Sequence, residues 1–526
     1  MKRLLCTLCC VTLCAMGFSE EEARVRLGAD GKLIYAADQI GNRIPDFSWA
    51  GYAGGGVALP DVRTVVKVLK PGKSGDDTVR IQAAIDALSV LDIDNQDFRG
   101  ALLLQRGTYR ISDTLYIKAS GIVLRGQGQT ADGTVLLATG ANKRTLISVG
   151  GKSKVTEIKG SRREIADDYV PWGVCSLALE STDGFSVGDR VILHRPSTDE
   201  WIRDIKMDQI LEREGTRQWT AGGYDLRMER IITAINGNRI TLNAPVMNAL
   251  DKKYGGGYIY RYSQTGALSQ IGIEGLRLVS EYNRDKKDDE AHAWTGVDVK
   301  HAHNVWVRNI TTVHFSHGVS LQDGARFVTV QDCACLEPVS IITGGRRYAF
   351  SMNNAQYCLV QRCYSRDLRH AAATGSRICG PNVFLDCLAE NTHSDTGPHH
   401  RWAVGILWDN LKGGAFNAQD RGNWGTGHGW AGAQQVFWNC QTSSICVQQP
   451  PTAQNYAVGC TGKIVQGRFK GRQPGYYESH GRHVEPRSLY LQQLEDRLGK
   501  DAVENITTDA QRCGLIYTNL KAELSR

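Results

Sequence analysis

The apolar positions of this chain fall into many short runs, and one stretch near the N-terminus has a helical period. Residues 75–88, GDDTVRIQAAIDAL, place Ile81, Ile85 and Leu88 on one helix face, with Asp76 or Asp77 available to the first free amides. Residues 100–128 then form β-rich runs broken at Gly107, Gly121 and Gly126. A helix followed by short glycine-punctuated strands suits a helix that plugs the end of a β-solenoid.

A solenoid requires an internal repeat, and the second half of the chain carries one. The pattern apolar–x–apolar–x–x–small or apolar fits Ile271-x-Ile273-x-x-Leu276, Val305-x-Val307-x-x-Ile310 and Val328-x-Val330-x-x-Cys333. It recurs at Cys358-x-Val360-x-x-Cys363 and Val383-x-Leu385-x-x-Leu388, and less well at Val436-x-Trp438-x-x-Gln441. The final positions lie 34, 23, 30, 25 and 53 residues apart, the last gap being about two units. Such spacings between short strands, with no helix between them, predict a parallel β-helix. The expected fold class is therefore all-β: a right-handed parallel β-helix with an N-terminal capping helix, a small β-rich insertion and a C-terminal helical tail.

The expected organisation follows the pattern. Residues 1–17, MKRLLCTLCCVTLCAMG, read as a secretory signal: Lys2 and Arg3, an apolar core, then small residues at Ala15-Met16-Gly17. Lipidation at Cys14 is the minor alternative. Residues 18–172 hold the N-terminal segment and first rungs, 173–262 the insertion, with a hairpin at Asn236-Gly237, and 263–465 the main coil. In 466–526, Pro486 is placed to open a helix bearing Leu491, Leu494 and Leu498 and ending at Gly499.

Charge and cysteine content narrow the classes. Lys+Arg 62 against Asp+Glu 55 gives +7, and removal of Lys2 and Arg3 leaves 60 − 55 = +5. There is no basic run dense enough for nucleic acid, and no apolar run after the leader long enough for a membrane span. Eleven cysteines remain after the leader, without a CxxC pair. Most sit in apolar strand patterns as small hydrophobes. Cys333 and Cys363 share one repeat position and are expected to stack inside.

The GDDTVRIQAAIDAL helix, followed by GTYRISDTLYI and GIVLRGQG, resembles the N-terminal part of the pectate-lyase-like superfamily of right-handed parallel β-helix proteins. DQIGNRIPDFSWAGYAGGGVALPDV (38–62) and EPRSLYLQQLEDRLG (485–499) are similar to segments of its exported bacterial, polysaccharide-degrading members. The resemblance implies an exported, periplasmic or extracellular protein working on polysaccharide. It transfers no catalytic residue, because neither the paired aspartates of polygalacturonases nor an aspartate cluster like the pectate lyase calcium site is present. No metal is assigned; calcium has no motif behind it, and His393, His399 and His400 form a minor metal alternative.

Candidate chemistry gathers in 314–430. The run ENTHSDTGPHHRWAVGILWDN (390–410) and the basic stretch 346–377 supply His370, His399, His400, Arg401, Arg369 and Asp395 as catalytic candidates. His317, Arg346, Arg347, Trp402, Trp424, His428 and Trp430 are substrate-binding candidates. Seven residues beyond successive repeat positions stand His317, Ser340, His370 and Asp395, a ladder on consecutive rungs. Arginine matches a uronate carboxylate bidentately, and histidine can move the C5 and leaving-group protons, so β-elimination needs no further parts. The expected activity is a lyase on an acidic polysaccharide. An inverting hydrolase would instead pair Asp395 with Glu390, Asp409 or Glu337. A glycan-binding β-helix without turnover is the third reading. A monomer is expected.

Overall fold

The computed structural model describes residues 23–524 apart from 74 and 515, so the signal reading of 1–17 lies outside it. The chain winds as a right-handed parallel β-helix whose rungs contribute to three parallel sheets. The first sheet includes Gly100–Leu104, Arg326–Gln331, Leu359–Gln361, Cys379–Leu385, Ala403–Asp409 and Gly432–Trp438. The second includes Gly107–Ile111, Ala334–Leu336, Tyr364–Arg366 and Leu388–Glu390. The third runs Leu115–Ile117, Thr145–Val149, Thr295–Val299, His317–Leu321, Tyr348–Met352, His370–Thr374 and Gly397–Pro398.

The corner between the first and second sheets explains the repeat. The second x residue turns the chain with positive φ: Gly275, Asn309, Asp332, Arg362, Asp386, Asn410, Asn439 and Gly459 lie between 49° and 69°. Glycine, asparagine and aspartate tolerate that region best. Arg362 is the exception, and its guanidinium is held by Asp332 one rung earlier, Nε to Oδ1 at 2.7 Å and Nη2 to Oδ2 at 3.0 Å. Each corner delivers the next side chain inward, giving the stack Leu276, Ile310, Cys333, Cys363, Cys387, Leu411, Cys440 and Cys460. All eleven cysteines among the described residues are free thiols.

The last two repeat units are shifted by one residue from the sequence reading. Val360 pairs with Phe384, and Phe384 with Trp408, so Phe384 and Cys387, not Val383, Leu385 and Leu388, take the inward repeat positions. Trp408 and Leu411 supply the rung missing from the 53-residue gap, and Phe437 and Cys440 follow in place of Val436, Trp438 and Gln441. Phe384, Trp408 and Phe437 stack along the axis at 4.7 and 5.8 Å. The slip arises because both sides of these strands are buried. Val383, Leu385, Leu407, Val436 and Trp438 pack outward against Phe47, Leu489, Tyr490 and Leu494 of the terminal segments. Strands covered on both sides lose their alternation.

The capping helix spans Thr78–Ser89 and buries Ile81, Ile85 and Leu88. The C-terminal helix spans Leu489–Leu498; Ser488, not Pro486, caps it by accepting from Leu491 N–H, and Leu498 is exposed. Further helices follow at Lys500–Ile506, Asp509–Arg512 and Ile516–Leu524. The interruption is an antiparallel sheet whose strands run from Lys154–Glu157 to Tyr258–Thr265, so it reaches beyond 173–262 on both sides. It leaves the coil after a third-sheet strand and returns at Leu268–Ser280, which places it beside the corner between the third and first sheets. No helix among the described residues is long and apolar enough to cross a membrane.

Candidate active site

The third sheet is the one whose outer side carries polar residues over the late rungs. His317 pairs with Tyr348, and Tyr348 with His370. The expected ladder therefore keeps His317 and His370 but has Tyr348 where Ser340 stood in the count. The loop before Tyr348 is eight residues longer than the count allowed, and Ser340 lies within it, its carbonyl accepting from Arg347 Nη2 at 2.6 Å. Asp395 lies beside His370 rather than in line with it.

Around Tyr348 the imidazoles cluster. The Tyr348 ring lies 4.8 Å from His370 and 5.5 Å from His399, and Tyr348 Oη is 3.1 Å from His399 Nε2. His370 and His399 are 4.7 Å apart, and His399, His400 and His428 form a triangle with sides of 5.4, 5.2 and 5.0 Å between ring centres. A groove of about 180 Å³ is lined by His317, Ser320, Tyr348, Ser351, His399 and His400, among others, none of them a carboxylate.

Hydrogen bonding assigns roles. His370 Nδ1 lies 2.5 Å from the Asp395 carbonyl, which can only accept, so Nδ1 carries the proton and Nε2 keeps its lone pair. That Nε2 is buried without a partner, as are His399 Nδ1, His400 Nδ1, His428 Nδ1, Arg369 Nη1 and Arg421 Nε. Buried polar atoms are ordinarily paired, so this concentration sets the cluster apart as the candidate site. Asp395 itself is buried; burial opposes its charge, but Arg421, with Nη1 2.7 Å from Oδ2, and His370 hold its carboxyl below the usual range. Asp395 thus sits behind His370 and orients it.

The histidines are neutral. Burial pushes His317, His370 and His400 down to about 4, and burial with neighbouring His400 and Arg421 pushes His428 to about 3. His399 is held well below its ordinary value by burial first and then by His370 and Arg421. Burial raises the Tyr348 phenol. Arg369 lies over the Tyr348 ring at 5.9 Å.

Several candidates have other work. Trp402 is fully buried, 4.9 Å edge-on to Trp201, and its Nε1 donates to Asn248 Oδ1 at 3.3 Å. Trp430 is buried and donates to the Ile205 carbonyl at 3.1 Å. Both tryptophans anchor the insertion to the coil and offer no face to a sugar. Arg346 is bidentate to Glu290, at 2.7 and 3.1 Å, and Arg347 is buried under its own loop. Trp424 is half-buried between the guanidinium groups of Arg421 at 5.0 Å and Arg468 at 4.4 Å. His393 is exposed and joins none of the ring contacts. Among the described residues no group of three or more His, Cys, Asp or Glu is arranged to hold a metal ion.

The carboxylates of the hydrolase alternative are also engaged. Glu390 accepts from Lys521 Nζ at 2.7 Å and from Tyr364 Oη at 2.5 Å, and Glu337 from Arg366 at 2.9 Å. Asp409 accepts from Ser488 Oγ at 2.7 Å and Tyr490 N–H at 2.8 Å at the start of the C-terminal helix.

Sequence reasoning missed Tyr348, Arg421 and Asp298. Asp298 shares a ladder with Ser320, Ser351 and Ala373, and burial raises its carboxyl to about 6. A count that allowed for the long loop before Tyr348 would have found that residue. Arg421 stands outside the repeat, and Asp298 lies on a third-sheet rung that the first-sheet pattern did not register.

No protein-family model matches the sequence, and no curated protein is significantly similar to it. Among solved structures, the tailspike protein gp49 of Pseudomonas phage LKA1 aligns at 15% identity with a TM-score of 0.46, covering 74% of this chain. The chain spans 57% of that tailspike's length. Alginate lyase from Paenibacillus sp. str. FPU-7 aligns at 10% identity and TM-score 0.36, over 80% of this chain and 99% of the lyase. Polygalacturonase from Erwinia carotovora ssp. carotovora aligns at 10% and 0.36, over 81% and 98%. All three are right-handed parallel β-helix proteins. What they share with this chain is the fold.

Proposed function

We propose that the protein is a polysaccharide lyase that cleaves a uronic-acid-containing chain by β-elimination at the Tyr348–His399–His400 groove. The supporting observation is the set of unpartnered, buried nitrogens on His399 and His400, which line a groove without a carboxylate, and on Arg369, His370, Arg421 and His428 beside it. The unpaired guanidinium N–H groups of Arg369 and Arg421 suit a substrate carboxylate, whose neutralisation stabilises the carbanion-like charge developing at C5. Arg369 is placed for this beside Tyr348. His370 Nε2, with a free lone pair and Asp395 behind the ring, is the base that removes the C5 proton. Tyr348 Oη, in contact with His399, is the acid that gives its proton to the departing glycosidic oxygen; His399 steadies the resulting phenolate. The C5–H and C4–O bonds break, a C4=C5 double bond forms, and no water is consumed.

Among the described residues, no pair of free carboxylates lines this groove, as inverting hydrolysis would need. A panel of acidic polysaccharides should yield absorbance near 235 nm from the new unsaturated uronate. New reducing ends without that absorbance would replace the lyase with a hydrolase. Retention on immobilised glycan without any cleavage would replace both with a binding protein. The protein would act outside the cytoplasm, where such polymers occur, as its leader suggests.

A further inference from the structure

We propose a second anion-binding subsite where the insertion meets the coil, formed by Arg217, Arg377, Arg401 and Tyr224, which takes the carboxylate or sulfate of a neighbouring sugar unit. It rests on the reading of the adjacent groove as the glycan cleft. Arg377 and Arg401 occupy equivalent corner positions on consecutive rungs, both with positive φ, 56° and 54°, and Arg377 N–H donates to the Arg401 carbonyl at 2.9 Å. The two side chains are therefore stacked at one edge of the groove. Arg217 comes from the insertion. Its N–H donates to the Thr426 carbonyl at 3.2 Å, the same oxygen that accepts from Arg401 Nη2 at 2.9 Å. Arg377 Nη1 donates to the Gly223 carbonyl at 2.6 Å, and its guanidinium stands 6.0 Å over the ring of Tyr224. That ring is itself stacked on buried Trp219 at 4.2 Å and 11°. Two chain segments distant in sequence thus bring three guanidinium groups together against a rigid floor.

What sets these arginines apart is the absence of counter-charge. Arg326, Arg346, Arg362 and Arg487 each meet a carboxylate within 3 Å. Among the described residues, Arg217, Arg377 and Arg401 form no ion pair with a carboxylate; the Arg377 guanidinium is held by the Gly223 carbonyl and that of Arg401 by the carbonyl and hydroxyl of Thr426, which leaves N–H groups over. Neighbouring like charges repel, so their assembly costs stability unless an anion joins them. Beside them, Thr216 Oγ1 and His400 Nδ1 are buried with no partner, and the His400 ring, 5.4 Å from that of His399, connects this corner to the groove. A polymer carrying charge on successive units would place one anion at Arg369 and another here.

The test uses the double variant Arg217→Ala/Arg377→Ala, whose two side chains are exposed, in the full-length protein. Binding is measured to a polyuronate, to a sulfated galactan and to neutral pullulan across a salt series, and turnover is measured on the polyuronate. The expected result is a polyanion affinity lowered about tenfold at low salt. The slope of log Kd against log salt should fall by about one, in the direction counter-ion release dictates. KM should rise while kcat on a short uronate oligomer stays near wild type, and Arg377→Lys should recover part of the loss. A loss confined to the polyuronate identifies a carboxylate site, and one confined to the galactan a sulfate site. Wild-type turnover with affinity, slope and KM unchanged in the double variant overturns the subsite alone. Salt-dependent binding that the variant weakens, with no turnover by wild type, overturns the lyase reading and leaves the subsite standing. Wild type that binds no polyanion overturns both.

Discussion

The first and third sheets are built from the same rungs yet have opposite outer sides. Phe47, Leu489, Tyr490 and Leu494 cover the late rungs of the first sheet, where the strands are buried on both sides. The third sheet carries His317, Ser320, Tyr348, Ser351 and His399 on a groove open to solvent. In a solenoid the inward stack supplies the stability, so each outer side is free to take a cover or a ligand. Polar side chains with idle hydrogen-bonding groups gather on the side left bare, while the first sheet has Arg326 Nε and Gln434 Nε2 among its few.

The sharpest way to break this comparison is to mutate each side in turn. His370→Ala and Tyr348→Phe should each lower kcat by roughly 10³-fold or more, with thermal midpoints within a few degrees of wild type. Unfolding in both variants would turn the third-sheet cluster into another structural layer. His400→Ala and Arg401→Ala, at the doublet that stands out in the sequence, should also lower turnover while sparing the fold.

Trp408→Ala should do the reverse. The ring is fully buried between Phe384 and Phe437, and its removal should cost about 3–5 kcal/mol in denaturant unfolding without altering KM of the folded fraction. An undiminished midpoint would show that the axial stack is not where the stability resides.

Acidity offers a subtler contrast. Because burial holds His370 near 4, kcat/KM of free enzyme should fall on an acid limb close to pH 4 rather than near 6.5. The same depression means that the unfolded chain binds these protons more tightly. The stability due to neutral His317, His370 and His400 is present above 6.5 and is lost as pH drops toward 4. An acid limb at 6.5 would show that the base is a solvated histidine elsewhere.

On the covered side the sign is opposite. Burial raises Asp409 to about 7, so its favourable protonated form is lost as pH rises through 7. Asp409→Asn should change the midpoint by only a degree or two, comparing better with wild type at pH 8 than at pH 6. A variant that fares worse at pH 8 would mean that the charged form is the stabilising cap.

This difference between sides also decided what could be read from sequence. Inward positions at Ile271 and Val328 stood out because their outward neighbours, Gly272 and Thr329, are small or polar, and Val305 and Cys358 kept the pattern although Trp306 and Leu359 are buried outward. At Val383-Phe384-Leu385 and Val436-Phe437-Trp438 both sides are buried, and the eye takes the wrong alternate residue. His370, His399 and His400 were visible as a dense polar run, and the structure gathers them together. Trp402 and Trp430 shared that run but turn toward the insertion, a partner that nothing local announces. Tyr348 was hidden by loop length, and Arg421 by its distance from any repeat position.

The inward thiols have a consequence for how the chain reaches its fold. Cys333, Cys363, Cys440 and Cys460 are sealed by stacking and Cys387 is half-buried, while Cys513 is exposed. In an oxidising compartment, a nascent chain would present all of them before any rung had closed. Winding must therefore outrun oxidation, since a covalent link between wrong rungs would lock the coil open. The same arrangement makes the folded molecule a clock. A thiol reagent would tag Cys513 at once and the interior cysteines only as rungs part, so the order of tagging records from which end the coil unwinds.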